Sequence, residues 1–318
     1  MPPLPKVQPS TVTAIYQAYE AANQHYDSLG ISVGEIATEC DRALWYGFRW
    51  ASQPEVIDGR KVIDGRKLSI FRTGDRWEEV MVADLERIGV EVWGQQNRIR
   101  LVGGHVRGKI DGICQGLPEA PKTIHLCEFK SSNDKGFKEI QKHGCKKAKI
   151  LHFGQCQIGM HAFGLSRALY MVVNKNDDSR YVERIEYDAE WCLRALARAQ
   201  RIIESYDPPS RISEDPEFFG CRFCKHHAVC HTGAEPRLTC RSCIHATPEM
   251  SGDAHWSCSR WSKPLSVDEQ KQACGTHLWL PGFIDGEQID ANEEEEWIEY
   301  RLRNGEIWRD GAISGRGM

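Results

Sequence analysis

The sequence predicts an α/β fold, a mixed central β-sheet flanked by helices, followed by a cysteine-rich, metal-binding C-terminal extension. Three observations lead there. Residues 72–88 carry Trp77, Met81, Leu85 and Ile88 at spacings of four, four and three, the stripe of an amphipathic helix. Four β-rich segments follow, at 90–93, 98–102, 106–114 and 123–130, and then helical and strand patterns alternate. Thirteen cysteines are present, and eight of them fall into two ligand-like sets, seven beyond residue 210.

Taken in order, 11–29 and 34–50 read as helices, the second carrying Cys40. The hexapeptide VIDGRK stands at 56–61 and again at 62–67. Its Asp-Gly pairs are turn signals, so an irregular or hairpin connection is expected. The amphipathic helix places Asp75, Glu78 and Glu79 near its first turns. After the four strands, 135–147 reads as helix or basic loop. The apolar stretch 151–164 reads as helix, 168–173 and 181–187 as strands, and 188–206 as a helix ended by Asp207-Pro208-Pro209. One core over roughly 11–210 accounts for these elements. Near the C-terminus, WIEYRLR-NG-EIWRD has the Asn-Gly signal of a tight hairpin.

With 318 residues, 41% hydrophobic and 27% charged, the composition is that of an ordinary soluble globular protein. No apolar run approaches the roughly 18 residues of a membrane span. The start, MPPLPKVQPS, has neither a charged leader nor an apolar stretch, so a cytoplasmic protein without a membrane partner is expected. The net charge of −4 does not announce a nucleic-acid partner, but the local charge does more. Residues 105–150 hold ten Lys and Arg against five Asp and Glu. That suits a phosphate chain approaching carboxylates, with a solvated lysine face as the plain alternative. Residues 285–299 hold eight acids and no base, and within them the Glu293–Glu296 run reads as a solvated or flexible segment.

The chemistry is concentrated between Gly108 and Lys130, in GKIDGI and HLCEFK. Asp111 is expected on one strand, and Glu128 and Lys130 two apart on the next, hence on one face of the sheet. Two carboxylates there can hold a divalent cation, and a neighbouring ammonium can position a water, as a metal-dependent phosphodiesterase requires. On its own, such a set is also what a surface salt bridge on adjacent strands looks like.

The arrangement resembles the PD-(D/E)XK nuclease superfamily, and within it the RecB-like exonucleases. There the order is a helix acid or histidine, a strand Asp, E/D-x-K on the next strand, and a QxxxY helix. Here the helix motif falls at FRTGDRWEEV, the strand motifs are GKIDGI and CEFK, and Gln155 lies in HFGQCQIGM. The resemblance implies a restriction-endonuclease-like core. It also implies Mg²⁺ or Mn²⁺ held by Asp111, Glu128, the backbone carbonyl of Phe129 and a helix acid, Glu78 with Asp75 in support. Lys130 would orient the attacking water, with Gln155 nearby. Two departures stand out: Asp75 takes the place of the histidine common in relatives, and Gly159 that of the tyrosine four residues after Gln155.

In GCRFCKHHAVC, Cys221, Cys224 and Cys230 lack a fourth local thiol, and Cys40 in ECDRALWY is the candidate. One cysteine before the core and three after it resembles the iron–sulfur nucleases, among them CRISPR-associated RecB-like exonucleases and AddB-type enzymes. That resemblance implies a 4Fe–4S cluster on Cys40, Cys221, Cys224 and Cys230, clasping the ends of the domain. Local zinc with His226, His227 or His231 as fourth ligand is the alternative. The second set, Cys240, Cys243, Cys258 and Cys274, fits a zinc ribbon, with His245, His255 or His277 able to replace one thiol. Cys114, Cys127, Cys145, Cys156 and Cys192 read as small buried hydrophobes. Trp256, Trp261, Trp279, Trp297 and Trp308 are expected to pack the tail, base stacking being the other reading.

The expected domains are a nuclease with its clasp at 1–235, a zinc-ribbon-like module at 236–280, and an acidic segment with a hairpin at 281–318. The expected activity is metal-dependent exonucleolytic hydrolysis of DNA at ends or in single strands, of the kind found in phage recombination or processing. Its partners would be DNA and a recombination or replication protein. Two alternatives are a non-catalytic nucleic-acid-binding adaptor and an RNA-directed nuclease.

Overall fold

A computed structural model describes residues 10–23, 27–53, 56–57, 60–61 and 63–311. The first helix, α1 (Thr11–Ala22), is capped by Ser10 and stops earlier than the sequence pattern, because Asn23 turns extended; residues 24–26 of that expectation lie outside the described residues. The expected helix at 34–50 is shorter. β1 (Ile31–Ser32) pairs in parallel with a later strand, a turn follows, and only α2 (Asp41–Phe48) is helical, with Cys40 as its N-cap. In the duplicated hexapeptide, β2 (Val56–Ile57) and β3 (Arg60–Lys61) form the hairpin that the Asp-Gly turn suggested, while 58, 59 and 62 lie outside the described residues.

The amphipathic helix α3 (Gly65–Arg87) begins about two turns before the expected 72–88 range, capped by Asp64. Then come β4 (Glu91–Trp93), β5 (Arg98–Leu101), β6 (Val106–Lys109), β7 (Gly112–Gln115) and β8 (His125–Ser132). The single strand expected at 106–114 is thus two strands. Ile110 still donates to Asn97 O at 3.0 Å, whereas Gly112 already pairs with Cys127. The chain changes sheets between them, and Asp111 sits in the break instead of on a strand.

The stretch open to two readings at 135–147 is helical, α4 (Asp134–Ala148), kinked where Gly144 takes φ 71°. It is followed by α5 (Ile150–Phe163), β9 (Arg167–Asn174), β10 (Arg180–Glu186) and α6 (Ala189–Glu204). The main sheet has the order β10-β9-β8-β7-β4, with β8 and β9 parallel and its other neighbours antiparallel. A smaller sheet, β1-β6-β5, flanks it.

The central strands are buried on both faces, and alternation divides them between two cores. Cys127, Phe129, Leu169, Met171 and Val173 pack with Met81 and Leu85 of α3. Leu126, Ala168, Tyr170 and Val172 pack with residues of α4, α5 and α6, among them Ile140, Phe153 and Ile202. Helices on both faces of a mixed sheet make this an α/β fold of the expected class.

Beyond α6 lie the one-turn helices α7 (Phe219–Arg222) and α8 (His227–His231). The cysteine-rich stretch then forms β11 (Ala246–Pro248), β12 (Trp256–Cys258), β13 (Lys263–Leu265) and α9 (Val267–Gln270). The acidic segment contains β14 (Gly286–Asn292), which ends just before the 293–296 run expected to be solvated or flexible. This strand adds to the predicted hairpin of β15 (Trp297–Leu302) and β16 (Ile307–Gly311) to give three strands. Most of its side chains are exposed, so its acids cost little there.

The cysteine-rich stretch is not packed by itself. Cys243, Trp256, Cys258 and Leu265 belong to the same core as α2 and α5. Arg241, wholly buried, donates to Phe48 O at 2.8 Å, Leu29 O at 3.3 Å and Gln270 Oε1 at 2.8 Å, with its guanidinium 3.8 Å from the Trp50 ring centre. Beside it the buried Arg49 donates to Ser205 O at 2.9 Å and to the carbonyl of Arg241 at 3.3 Å. Arg241→Ala strands several buried acceptors at once and should destabilise the protein by about 3 kcal/mol or more. The shift in urea midpoint measures it; a change below about 0.5 kcal/mol would show that these bonds do not hold the tail to the core.

Candidate active site

Strand β8 builds most of the site. Because Cys127 and Phe129 turn toward α3, Glu128 and Lys130 turn to the other face, where Tyr170 of β9 stands opposite Glu128 in register. Lys130 Nζ contacts Glu128 Oε1. Asp111 enters from the strand break, and its Oδ2 accepts the backbone N–H of Phe129 at 2.7 Å. Glu78 comes from α3, half-buried and within the field of both Asp111 and Lys130. The four side chains that the sequence singles out from three separate segments therefore act on one another.

Their titration shows how tightly. Burial, then the Asp111 charge, pushes Glu78 up to about 7 against the pull of Lys130. Burial pushes Glu128 up to about 7 as well, with Lys130 opposing and Asp111 and Glu78 adding to the rise. Asp111 is raised by burial, with Lys130 and the Phe129 N–H working the other way. For Lys130, burial pulls the pKa down, but Glu128 and Asp111 outweigh it and hold the ammonium above its usual range. Three carboxyls thus share one ammonium, and a buried carboxylate oxygen, Glu128 Oε1, has ion-pair contact without a well-directed hydrogen bond. The chemistry of this donor set is that of a hard-divalent-cation site, though among the described residues the three carboxylates are not gathered closely enough to form a ready-made one.

Asp75 is exposed and reaches the cluster only through its field on Glu78. Gln155 is half-buried on α5, and its amide lies beside Gly34, the nearest neighbours of that glycine being Ser32 Oγ and Gln155. The face of α5 turned to the cluster carries His152 and Cys156. The Cys156 thiol is pushed up by burial and then by Glu128, and His152 is held down at about 3 by burial, Lys130 and Lys149. His152 Nδ1 lies 2.7 Å from the Tyr170 hydroxyl. Sequence reading missed this pair, since neither residue belongs to the motif; the helical spacing of 152 and 156 was the one available signal. A side chain at Gly159 would start 2.6 Å from Leu126 Cδ2, so no ring fits where relatives are expected to carry tyrosine.

The two cysteine sets each surround a cavity. Cys40, Cys221, Cys224 and Cys230 line one of about 30 Å³ with His226, His227 and His231. Burial, then Cys230, Cys40 and Cys224, raises the Cys221 thiol, so Cys40 does stand beside the downstream triplet. Cys240, Cys243, Cys258 and Cys274 line another of about 220 Å³ together with His245 and His277. Burial, followed by the other three thiols, pushes Cys240 up to about 12. Burial raises Cys243 also, while the N–H groups of His245 and Leu278 aimed at its sulfur draw it back. Nε2 of His277 faces Thr239 O at 3.1 Å and Ser242 Oγ at 3.3 Å. Among the described residues no three His, Cys, Asp or Glu side chains are gathered closely enough to form a ready-made metal-holding group. The donors line common walls without closing on a point.

No protein-family model and no curated protein matches the chain. Solved structures are similar to parts of it. A protein crystallised as SSO0001 is 16% identical with a TM-score of 0.40, over 70% of this chain and 98% of its own. An alkaline exonuclease from Laribacter hongkongensis is 16% identical with a TM-score of 0.41, over 58% and 90%. The same exonuclease in complex with dAMP is 14% identical with a TM-score of 0.37, over 59% and 89%. These likenesses are loose, and the reading of the site stands on its side chains. Among the described residues no helix is long and apolar enough to cross a membrane.

The raised carboxyls set a pH dependence. Glu78 and Glu128 titrate near 7 in the folded, metal-free chain but from 4.5 when unexposed to these neighbours, so the folded state keeps protons that the unfolded state releases. Their contribution to stability is full below about pH 4.5, declines as pH rises and is lost above about pH 7. Thermal unfolding in chelator should show this decline, Glu128→Gln should flatten it, and Mg²⁺ should raise Tm more at about pH 8 than at about pH 5. Equal Mg²⁺ shifts at both pH values would mean that the cation does not bind these carboxylates.

Proposed function

We propose that the chain is a metal-dependent DNA nuclease of the RecB-like PD-(D/E)XK type, hydrolysing phosphodiester bonds at DNA ends or in single strands. The observation that carries the reading is the mutual proximity of Glu78, Asp111, Glu128 and Lys130, three acids and a lysine from α3, the β6–β7 break and β8. Asp111, Glu128, Glu78 and the Phe129 carbonyl would hold Mg²⁺ or Mn²⁺, with Asp75 in outer support. When bound, such a cation lowers the pKa of a water and offsets the charge of the phosphate. Lys130, cationic throughout the working pH range, orients the attacking water and stabilises charge developing on the phosphoryl oxygens. Gln155, on the flank of α5, would meet the nucleic acid outside this centre. The fit of the donor set, acid-rich and short of hydrogen bonds, supports the metal.

The same reading gives Cys40, Cys221, Cys224 and Cys230 a 4Fe–4S cluster that fastens α2 to α7 and α8, with a structural role. Cys240, Cys243, Cys258 and Cys274 would take zinc, and the N–H groups already directed at Cys243 are what a bound thiolate needs. The nuclease would then span 1–235, the zinc module 236–280 and the closing sheet 281–318. The setting would be cytoplasmic DNA recombination or processing of phage type, beside a recombination or replication protein.

Labelled single- and double-stranded DNA and RNA, incubated with Mn²⁺, test the activity. Wild type should degrade DNA, and Lys130→Ala should lose at least about 100-fold in rate. Binding without cleavage by either protein would favour the adaptor, and cleavage confined to RNA would redirect the substrate. Elemental analysis checks the thiols: purified protein should carry iron and zinc, and Cys40→Ala should lose iron and its brown colour but keep zinc. Retention of iron by that variant would remove Cys40 from the ligands.

A further inference from the structure

Resting on the nuclease reading, we propose that His152 is a substrate-holding residue, donating from Nε2 to a non-bridging phosphate oxygen of the nucleic acid, and that Tyr170 sets the imidazole for this task. His152 is in the first turn of α5, on the helix face that also carries Cys156, and both residues lie within the field of the Lys130–Glu128 pair or of one of its members. Lys149, the residue just before α5, adds a second cation beside the ring, and its Nζ approaches Gly136 in the first turn of α4. A phosphate drawn toward Lys130 and Lys149 would come near His152, on whose ring both cations act.

The Tyr170 hydroxyl decides which nitrogen carries the proton. It lies 2.7 Å from His152 Nδ1. Cys145 Sγ also neighbours that hydroxyl, but the thiol directs its own proton to Lys149 O, and sulfur is a weak acceptor. The phenol proton therefore goes to Nδ1, the stronger acceptor, and leaves the neutral ring with N–H at Nε2. Among the described residues Nε2 bonds no group, and it is not one of the buried polar atoms left without a partner, so it meets solvent. Burial and the two lysines keep the ring neutral. A neutral imidazole in that tautomer offers one directed donor next to two cations.

The test uses the full-length protein with a fluorescein-labelled oligodeoxynucleotide. Affinity is measured by anisotropy in EDTA, and kcat/KM is measured in Mn²⁺. His152→Ala should lose about tenfold or more in both, with the loss of kcat/KM appearing mainly in KM, the scale of one hydrogen bond to a charged oxygen. His152→Gln presents an N–H at nearly the same place and should recover most of both. Tyr170→Phe should fall between them, and nitrogen NMR of the imidazole should show the Nε2–H form in wild type and a mixture of tautomers in that variant. Unchanged affinity in His152→Ala overturns the proposal, as does a loss that Gln does not recover and that follows a fallen Tm. If wild type cleaves no nucleic acid, the hydrolase reading fails by itself, and the affinity comparison in EDTA still decides the role of His152.

Discussion

The bond from the Phe129 N–H to Asp111 ties the two halves of the site together. β6 belongs to one sheet and β7 to another, so the residue between them is free to turn its carboxylate toward β8. By accepting the Phe129 N–H, Asp111 is held beside the one stretch of β8 where alternation brings an acid and a lysine to the same face. Leu126 and Tyr170, both in the hydrophobic core, are neighbours of Glu128 on that face. Glu128 is therefore a carboxylate in a hydrophobic layer, and its ionisation is opposed by burial more than it is favoured by Lys130. The same burial that opposes its ionisation leaves its Oε1 short of a directed hydrogen-bond donor.

A second buried arrangement joins the cysteine-rich tail to this scaffold, and it rests on two buried cations, one of which, Arg241, also feels the charge of Asp27. Arg49 and Arg241 are buried among Trp45, Trp50, Phe48 and Trp256, and their protons go to backbone carbonyls and one glutamine. Burial holds Arg241 well below the usual guanidinium range. Carbonyl dipoles and aromatic faces replace part of the lost hydration. The consequence is positional: α2, capped at its N-terminus by Cys40, is tied to the strand-poor segment around Cys240 and Cys243. The two thiol sets consequently flank one continuous packed region.

Much of this was legible in the sequence where a periodic signal was involved. The two-residue alternation of CEFK placed Glu128 and Lys130 on one face, and the four-four spacing of Trp77, Met81 and Leu85 located α3. The strand break was not legible, since GKIDGI reads as one continuous β-run and only the rival pairings of Ile110 and Gly112 divide it. The strand β14 was hidden for a different reason. Its acids and glycine carry no strand signal, yet an exposed edge strand tolerates charge on its side chains while its backbone pairs with β15. Cys40 is the long-range contact that spacing alone left open and that the cavity it shares with Cys221, Cys224 and Cys230 makes concrete.

The position of α5 explains why its polar residues are placed where they are. The helix is packed on two sides: a Cβ at Gly154 would lie 2.9 Å from the Ala37 Cβ, and one at Gly159 would lie 2.6 Å from Leu126. Glycine at both sites lets the helix approach closely, so from Phe153 to Met160 only Gln155 escapes full burial. A polar group that is to reach the cluster must then come from the first turn, before the close approach begins. His152 lies in that turn with Lys149 just before it, and Tyr170, opposite Glu128 on the neighbouring strand, lies within a hydrogen bond of His152. The tight packing that excludes a tyrosine at 159 is thus the same constraint that makes the start of α5 its chemically equipped end.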